Sequence, residues 1–335
     1  MNGAAPFDTI SVIGGGAWGT ALASLCAANG RTTLLWAREP SVVESINAKH
    51  ENIDYLPGIP LSADLSATGD LKEAAKCEAA LFVVPSQFAR SVLVELQTLS
   101  VADLPIALCS KGIEQSSGLL MIDVLRAVWP DARSAVLSGP SFAADVARGL
   151  PTAVTLACQD DDLCSRWAAS IGAAQFRPYL SRDLIGAELG GAVKNVLAIA
   201  AGVVDGKGLG ESARAALIAR GFAEFQRLGV AMGADRQTMA GLSGLGDLIL
   251  TASSPQSRNM SLGRELGKGR KLESIIGERN SVAEGVATAP ALLKMAKKYG
   301  IDMPIASAVA ALTTGAVSVD DAIKSLLTRP ITKEG

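Results

Sequence analysis

Two lysines, one aspartate and one short polar run have the residue types and settings for acid–base and phosphate chemistry. Lys194 lies in Glu188-Leu-Gly-Gly-Ala-Val-Lys-Asn-Val-Leu-Ala-Ile-Ala-Ala-Gly202, where a lone Lys-Asn pair interrupts an apolar helical pattern. An ammonium there is costly to bury without partners, so it either snorkels to solvent or serves a site. Lys111, in Cys109-Ser-Lys-Gly-Ile113, follows directly on an apolar, strand-like run. Open α/β sheets bind ligands beyond the carboxyl ends of their parallel strands, so Lys111 is a site residue or a surface lysine. Asp247 closes the glycine-rich stretch Gly241-Leu-Ser-Gly-Leu-Gly-Asp247, whose glycines allow close backbone approach. Ser257, Arg258 and Asn259 offer a hydroxyl, a guanidinium fork and an amide, a set suited to phosphate. The same run also reads as a helix N-cap followed by a surface arginine.

Other chemistries are poorly supplied. The single histidine, His50, sits in the polar run Asn47-Ala-Lys-His-Glu-Asn52 and reads as a surface residue. The acid–base group is then Lys, Asp, Glu or Tyr. There is no G-x-S-x-G nucleophile elbow and no Cys/His cluster with metal-ligand spacing. The five cysteines form no C-x-x-C pair and read as small core residues of a reduced, cytoplasmic protein.

A cofactor loop stands near the start of the chain. Gly14, Gly16 and Gly19 of Val12-Ile-Gly-Gly-Gly-Ala-Trp-Gly19 fit G-x-G-x-x-G, between an apolar run at 9–13 that reads as a strand and an Ala/Leu-rich run at 20–28 that reads as a helix. In that context the glycines provide a tight turn, room for a pyrophosphate and close helix–sheet packing, with the phosphates at the helix N-terminus. The next strand ends Leu34-Leu-Trp-Ala-Arg-Glu39, with no acid at its end and Arg38 directly after it. An arginine there accommodates a 2′-phosphate, so NADP(H) is preferred and NAD(H) possible, with Glu39 as the residue that opposes this reading.

These residues need a scaffold, and the chain supplies one pattern for each half. Up to about residue 180, β-branched apolar runs (9–13, 32–36, 79–84, 106–109, 135–137, 153–156) alternate with segments of helical period, such as 86–99 and 118–128. That alternation predicts an α/β Rossmann-type N-terminal domain with a mostly parallel sheet. From Leu184 onward helical patterns follow one another, with Ser318-Val-Asp-Asp321 as a capped helix start, which predicts an all-α C-terminal domain. The expected division is 1–185 for dinucleotide binding and 186–335 for substrate and catalysis. With 335 residues, 49% of them hydrophobic, the chain can build two cores. A net charge of −2 gives no basic surface for nucleic acid. The longest strongly apolar run, 196–204, is short of a membrane span, and no signal peptide is expected.

Taken in order, several blocks resemble bacterial NAD(P)-dependent sn-glycerol-3-phosphate dehydrogenase over roughly residues 8–329. They are Gly-Gly-Gly-Ala-Trp-Gly-Thr at 14–20, Ser-Lys-Gly-Ile at 110–113, Ser-Gly-Pro-Ser-Phe at 138–142, Gly-Ala-Val-Lys-Asn at 191–195, Gly-Leu-Gly-Asp at 244–247, Ser-Arg-Asn at 257–259 and Ala-Glu-Gly at 283–285. The resemblance implies reversible reduction of dihydroxyacetone phosphate to sn-glycerol 3-phosphate, which supplies the glycerophospholipid backbone. It makes Lys194 the proton donor and acceptor, puts Lys111 near both nicotinamide and substrate, and makes Asp247 a substrate-binding aspartate. Ser257, Arg258 and Asn259 would anchor the substrate, with Arg258 also near the cofactor; Gly139 and Ser141 would touch substrate. Ala17, Trp18, Arg38, Tyr55, Ala143, Val282 and Glu284 would line the dinucleotide. A homodimer is the family expectation. Two departures, Asp145 for the usual Glu and Ala252 for the usual Cys, carry no catalytic role. The rival reading is another two-domain dehydrogenase with a lysine acid–base, acting on a β-hydroxyacid or sugar acid; a non-catalytic cofactor-binding regulator is a more distant one.

Overall fold

A computed structural model of the chain describes residues 4–100, 103–278 and 283–330. Its first half is built on β1 (Thr9–Ile13), β2 (Thr32–Trp36), β3 (Leu65–Thr68), β4 (Ala79–Phe82), β5 (Ile106–Leu108), β6 (Ser134–Ser138), β7 (Thr152–Cys158) and β8 (Phe176–Ser181). They form one sheet in the order β3-β2-β1-β4-β5-β6-β7-β8. All neighbours pair in parallel except β6 and β7. The first six strands have the doubly wound order, which reverses between β1 and β4 and opens a crevice there at the strands' carboxyl ends. The Rossmann-type expectation is met.

Two strands escaped the periodicity argument. β3 (Leu-Ser-Ala-Thr) is short and only half apolar, and β8 (Phe-Arg-Pro-Tyr-Leu-Ser) carries Pro178 and exposed Tyr179 and Leu180. Both are edge strands, where proline and polar residues are tolerated because one side of the ladder is open.

After Ser181 every regular element among the described residues is a helix. The first of these helices, Leu184–Gly206, is started by Asp183, whose Oδ1 accepts the Gly186 N–H at 2.8 Å. It is apolar around most of its circumference, the mark of a helix buried on all sides. At 23 residues it is long and apolar enough to cross a membrane, contrary to the expectation from the 196–204 run alone, yet its apolar window is wholly buried inside the fold. It is the core helix of the second half, and helices Glu211–Ala231, Asp247–Ser253, Arg258–Gly267, Glu284–Lys298 and Pro304–Thr313 pack on it.

Two apolar cores result. One lies under the face of the sheet covered by helices Ala17–Ala28, Pro40–Lys49 and Asp161–Ile171. The other runs from the opposite face, through helices Ala89–Leu99 and Met121–Val128, into the central Leu184–Gly206 helix and the C-terminal helices. The sheet and the helical half therefore share a continuous core. All five cysteines are free thiols; Cys26, Cys109, Cys158 and Cys164 are buried and Cys77 half-buried. His50 departs from the surface reading: it is half-buried in a left-handed conformation (φ 49°) that ends helix Pro40–Lys49.

Candidate active site

The glycine loop forms the turn expected of it. Gly14 has φ +127°, and a Cβ on Gly19 would lie 1.9 Å from the Gly14 carbonyl oxygen, so a side chain fits at neither position. Above Gly16 there is open space, with no atom within 4 Å of an added Cβ. Helix Ala17–Ala28 starts at Gly16 without a side-chain cap and without an acid in its first turn, which leaves its N-terminal amides to an anionic ligand. Trp18 adds a buried indole Nε1 with no partner. Asn52, fully buried, ties the following loop to this turn by donating to the Gly15 carbonyl (2.9 Å) and Thr20 Oγ1 (2.8 Å). The residues present thus fit a dinucleotide.

Arg38 stands just beyond β2 with 76% of its side chain exposed, 3.7 Å from Glu39. Tyr55, on the loop that Asn52 anchors, shares this neighbourhood: burial first, then Glu39 and Asp54, push its phenol up, and Arg38 opposes them. Ala143 opens the short helix Ala143–Ala147, which packs on helix Ala17–Ala28.

At the carboxyl ends of β5 and β6 the charged residues converge. Lys111 Nζ reaches Asp247 Oδ2 at 2.7 Å and donates to the Gly139 carbonyl at 3.1 Å. Lys194 Nζ reaches Asp247 Oδ1 at 2.5 Å, and Thr251, one turn after Asp247, donates to the same oxygen at 3.4 Å. Asp247 is fully buried and spends both oxygens on the two lysines. Lys194 neither snorkels nor goes unpaired; it is 8% exposed. Burial brings its ammonium down from the ordinary 10.5 to about 7; Lys111 pushes the same way and Asp247 opposes. Ser141 Oγ donates to the Gly139 carbonyl at 3.0 Å, beside Lys111.

Local chain geometry makes this cluster possible. Residues Leu242–Gly246 form a single π-turn that leads into helix Asp247–Ser253. Such turns are rare and often sit at functional sites. Here the turn packs on the central helix so closely that a Cβ on Gly190 would fall 2.3 Å from the Ser243 carbonyl oxygen. Asp247 is thereby brought up against Lys194.

The run at 257–259 takes the form of the helix N-cap reading given above. Ser257 is the N-cap of helix Arg258–Gly267, its Oγ accepting the Met260 N–H at 3.2 Å. Arg258, the first helical residue, is exposed. Asn259 is buried and occupied internally: it donates to Asn195 Oδ1 and accepts the Gly285 N–H, both at 3.0 Å. Asn195 in turn donates to Glu284 Oε2 at 3.4 Å. Burial raises the Glu284 carboxyl, and Arg258, Lys194 and Lys111 pull it back. Val282 lies outside the described residues. Sequence reasoning left Thr251 and Asn195 without roles. Thr251 carried a signal, four residues after Asp247 on the same helical face, and Asn195 stood next to Lys194.

The sheet order, the glycine turn and a lysine–aspartate cluster between the sheet and the helical half define a dinucleotide-binding α/β fold with a helical second half. The chain belongs to the NAD-dependent glycerol-3-phosphate dehydrogenase family: the N-terminal model of that family matches residues 9–164 and the C-terminal model residues 183–324. A protein of Parvibaculum lavamentivorans named Glycerol-3-phosphate dehydrogenase [NAD(P)+] is 59% identical over 98% of both chains. The crystal structure of glycerol-3-phosphate dehydrogenase from Coxiella burnetii superposes with a TM-score of 0.93 at 37% identity, covering 96% of this chain and 99% of that one. D-mandelate dehydrogenase shares the fold alone, at 14% identity and a TM-score of 0.62.

Proposed function

We propose that the chain reduces dihydroxyacetone phosphate to sn-glycerol 3-phosphate, reversibly, with NADPH preferred and NADH accepted. The observation that carries this reading is the pair of lysines held by one buried aspartate at the carboxyl ends of β5 and β6. When bound, the nicotinamide supplies the hydride. The loop at Gly14, Gly16, Ala17, Trp18 and Gly19 would hold the pyrophosphate, and Arg38, Tyr55, Ala143, Val282 and Glu284 the rest of the cofactor.

Lys194 is the acid–base residue. As an ammonium it donates a proton to the C2 oxygen of the ketone and stabilises the charge developing there; as an amine it takes the proton back in oxidation. Its depressed pKa near 7 serves both directions at neutral pH, where an unperturbed lysine would serve only reduction. Asp247 orients Lys194 and Lys111 together. Lys111, Gly139 and Ser141 bound the substrate on the sheet side. Ser257, Arg258 and Asn259 bind the phosphate at a helix N-terminus, where amides and guanidinium act together. Since the side chains of Ser257 and Asn259 are engaged, their contribution is backbone and scaffold, and Arg258 carries the charge.

Residues 1–185 and 186–335 act as the cofactor and substrate units. The enzyme works in the cytoplasm, a reducing compartment that suits its free thiols, and as a homodimer, which is the family expectation. Steady-state rates with dihydroxyacetone phosphate and each cofactor, alongside a panel of β-hydroxyacid and sugar-acid substrates, test the function; turnover confined to the panel would overturn it.

Two substitutions test the flanks of the site. Arg258→Ala is expected to raise KM for the phosphorylated substrate by the equivalent of about 2–4 kcal/mol, with kcat less affected; an unchanged KM would put the phosphate elsewhere. Arg38→Ala is expected to lower kcat/KM with NADPH and leave NADH nearly untouched. A constant ratio of the two would remove Arg38 from cofactor choice and leave it as the partner of Glu39.

A further inference from the structure

Glu188 is 2% exposed and contacts neither Lys194 nor Asp247 by a hydrogen bond or ion pair. It sits on the central Leu184–Gly206 helix, six residues before Lys194 and therefore about 9 Å from it along the axis. Both of its carboxylate oxygens accept the Ile122 N–H, each at 3.1 Å. Ile122 is the second residue of helix Met121–Val128, which belongs to the sheet half between β5 and β6. That helix has a leucine, Leu120, at its N-cap and no side-chain cap of its own. Leucine is among the poorest residues for that position. The missing cap is supplied from the other half of the molecule.

This arrangement is expensive. Burial pushes the Glu188 carboxyl up to about 8, against the opposing effect of the Ile122 amide. A serine or aspartate at position 120 would cap the helix locally without burying an acid. The cross-half bond does something a local cap cannot: it ties the central helix to the sheet half. Glu188 and Gly191 share one stripe of that helix, and Gly191 lies against the Lys111 stem and Ser138 Oγ, with an added Cβ 3.2 Å from Lys111 Cγ and 3.1 Å from the hydroxyl. Lys194 and Gly190 occupy the adjacent stripe, against Asp247 and the π-turn. Glu188 is therefore a polar tie between this helix and the sheet half, on the side that faces Lys111.

We infer that Glu188 is a positioning residue: its clasp on the N-terminus of helix Met121–Val128 sets where Lys194 stands relative to the nicotinamide. The inference rests on the proposed reduction of dihydroxyacetone phosphate. The test compares Glu188→Met, which keeps the length of the side chain and removes the acceptor, with Glu188→Gln, which keeps an acceptor oxygen. Glu188→Met is expected to lose about 10²-fold in kcat, the cost of a misplacement of about 1 Å. NADPH affinity, measured by fluorescence titration, should stay near wild type, and the isotope effect with C4-deuterated NADPH should increase. Glu188→Gln should restore kcat close to the wild-type value. Should Glu188→Met not fold, Ile122→Pro removes the donor from the opposite side in the first turn of the helix, where no intrahelical bond is lost, and should give the same split between kcat and cofactor affinity. A wild-type kcat in a folded variant without the bond, or a fall in kcat matched by the fall in cofactor affinity, would overturn the inference and leave the enzyme's function standing. An inactive wild-type enzyme would instead overturn the function, and the inference with it.

Discussion

Lys194→Ala is expected to cut kcat for dihydroxyacetone phosphate reduction by about 10²–10⁴-fold, the usual scale for a positioned acid–base group. NADPH binding should be nearly unaffected, because the dinucleotide turn at Gly14–Gly19 lies in the other half of the molecule. The wild-type pH profile carries the same information. Lys194 is lowered to about 7, so the fraction able to donate a proton falls as pH rises through that value. Reductive kcat should decline there, and oxidative kcat should climb over the same range. An unperturbed lysine near 10.4 would place both limbs far into the alkaline region and leave reduction flat across neutral pH. Rates measured in both directions from pH 6 to 10, for wild type and Lys194→Ala, distinguish the two. A near-normal turnover in the variant would remove Lys194 from the chemistry.

The depressed pKa shows where sequence reasoning reached and where it stopped. That an ammonium inside an apolar helix needs a partner was legible from Lys194 and its neighbours. The partner was not, because Asp247 is 53 residues away and reaches Lys194 only through a π-turn, which has no apolar period to read. Asp247 itself stood out by the glycines before it and by the substrate-binding role that the resemblance implies; orienting the lysines is a second task open to it. Both carboxylate oxygens prove to be on ammoniums, which favours orientation. The doubly wound sheet was legible because buried parallel strands are continuous apolar runs, as in wholly buried β4, and the polar edge strands β3 and β8 were lost for the converse reason. At Ser257 the N-cap is what the structure shows, and a helix that begins there does not oppose the phosphate site proposed above, since a capped N-terminus still has backbone amides without intrahelical partners. The partner of Glu188 could not be read, since it is a backbone amide in the other half and backbone amides are not written in side-chain types.

Asp247→Asn should be nearly as damaging as the loss of Lys194, by a different route. The substitution keeps the shape and removes the buried carboxylate that pairs with both Lys111 and Lys194. Breaking a buried ion pair from one side costs about 3–5 kcal/mol, because the remaining charge is left uncompensated. Here two ammoniums would be left facing each other. Lys194 has the easier escape: its pKa is already near 7, and Asp247 is the contribution holding it up against burial and Lys111. Without that contribution it falls further, and at neutral pH Lys194 becomes an amine. The variant should therefore reduce dihydroxyacetone phosphate slowly at pH 7 and recover part of its rate at lower pH, with the descending limb of the reductive profile displaced to the acid side. Thermal unfolding and the pH profile separate the two consequences. A lowered melting temperature with an unmoved limb would make Asp247 a structural counter-ion only. A displaced limb in a folded protein would make it the residue that sets the protonation of Lys194 and so the direction in which the site works best.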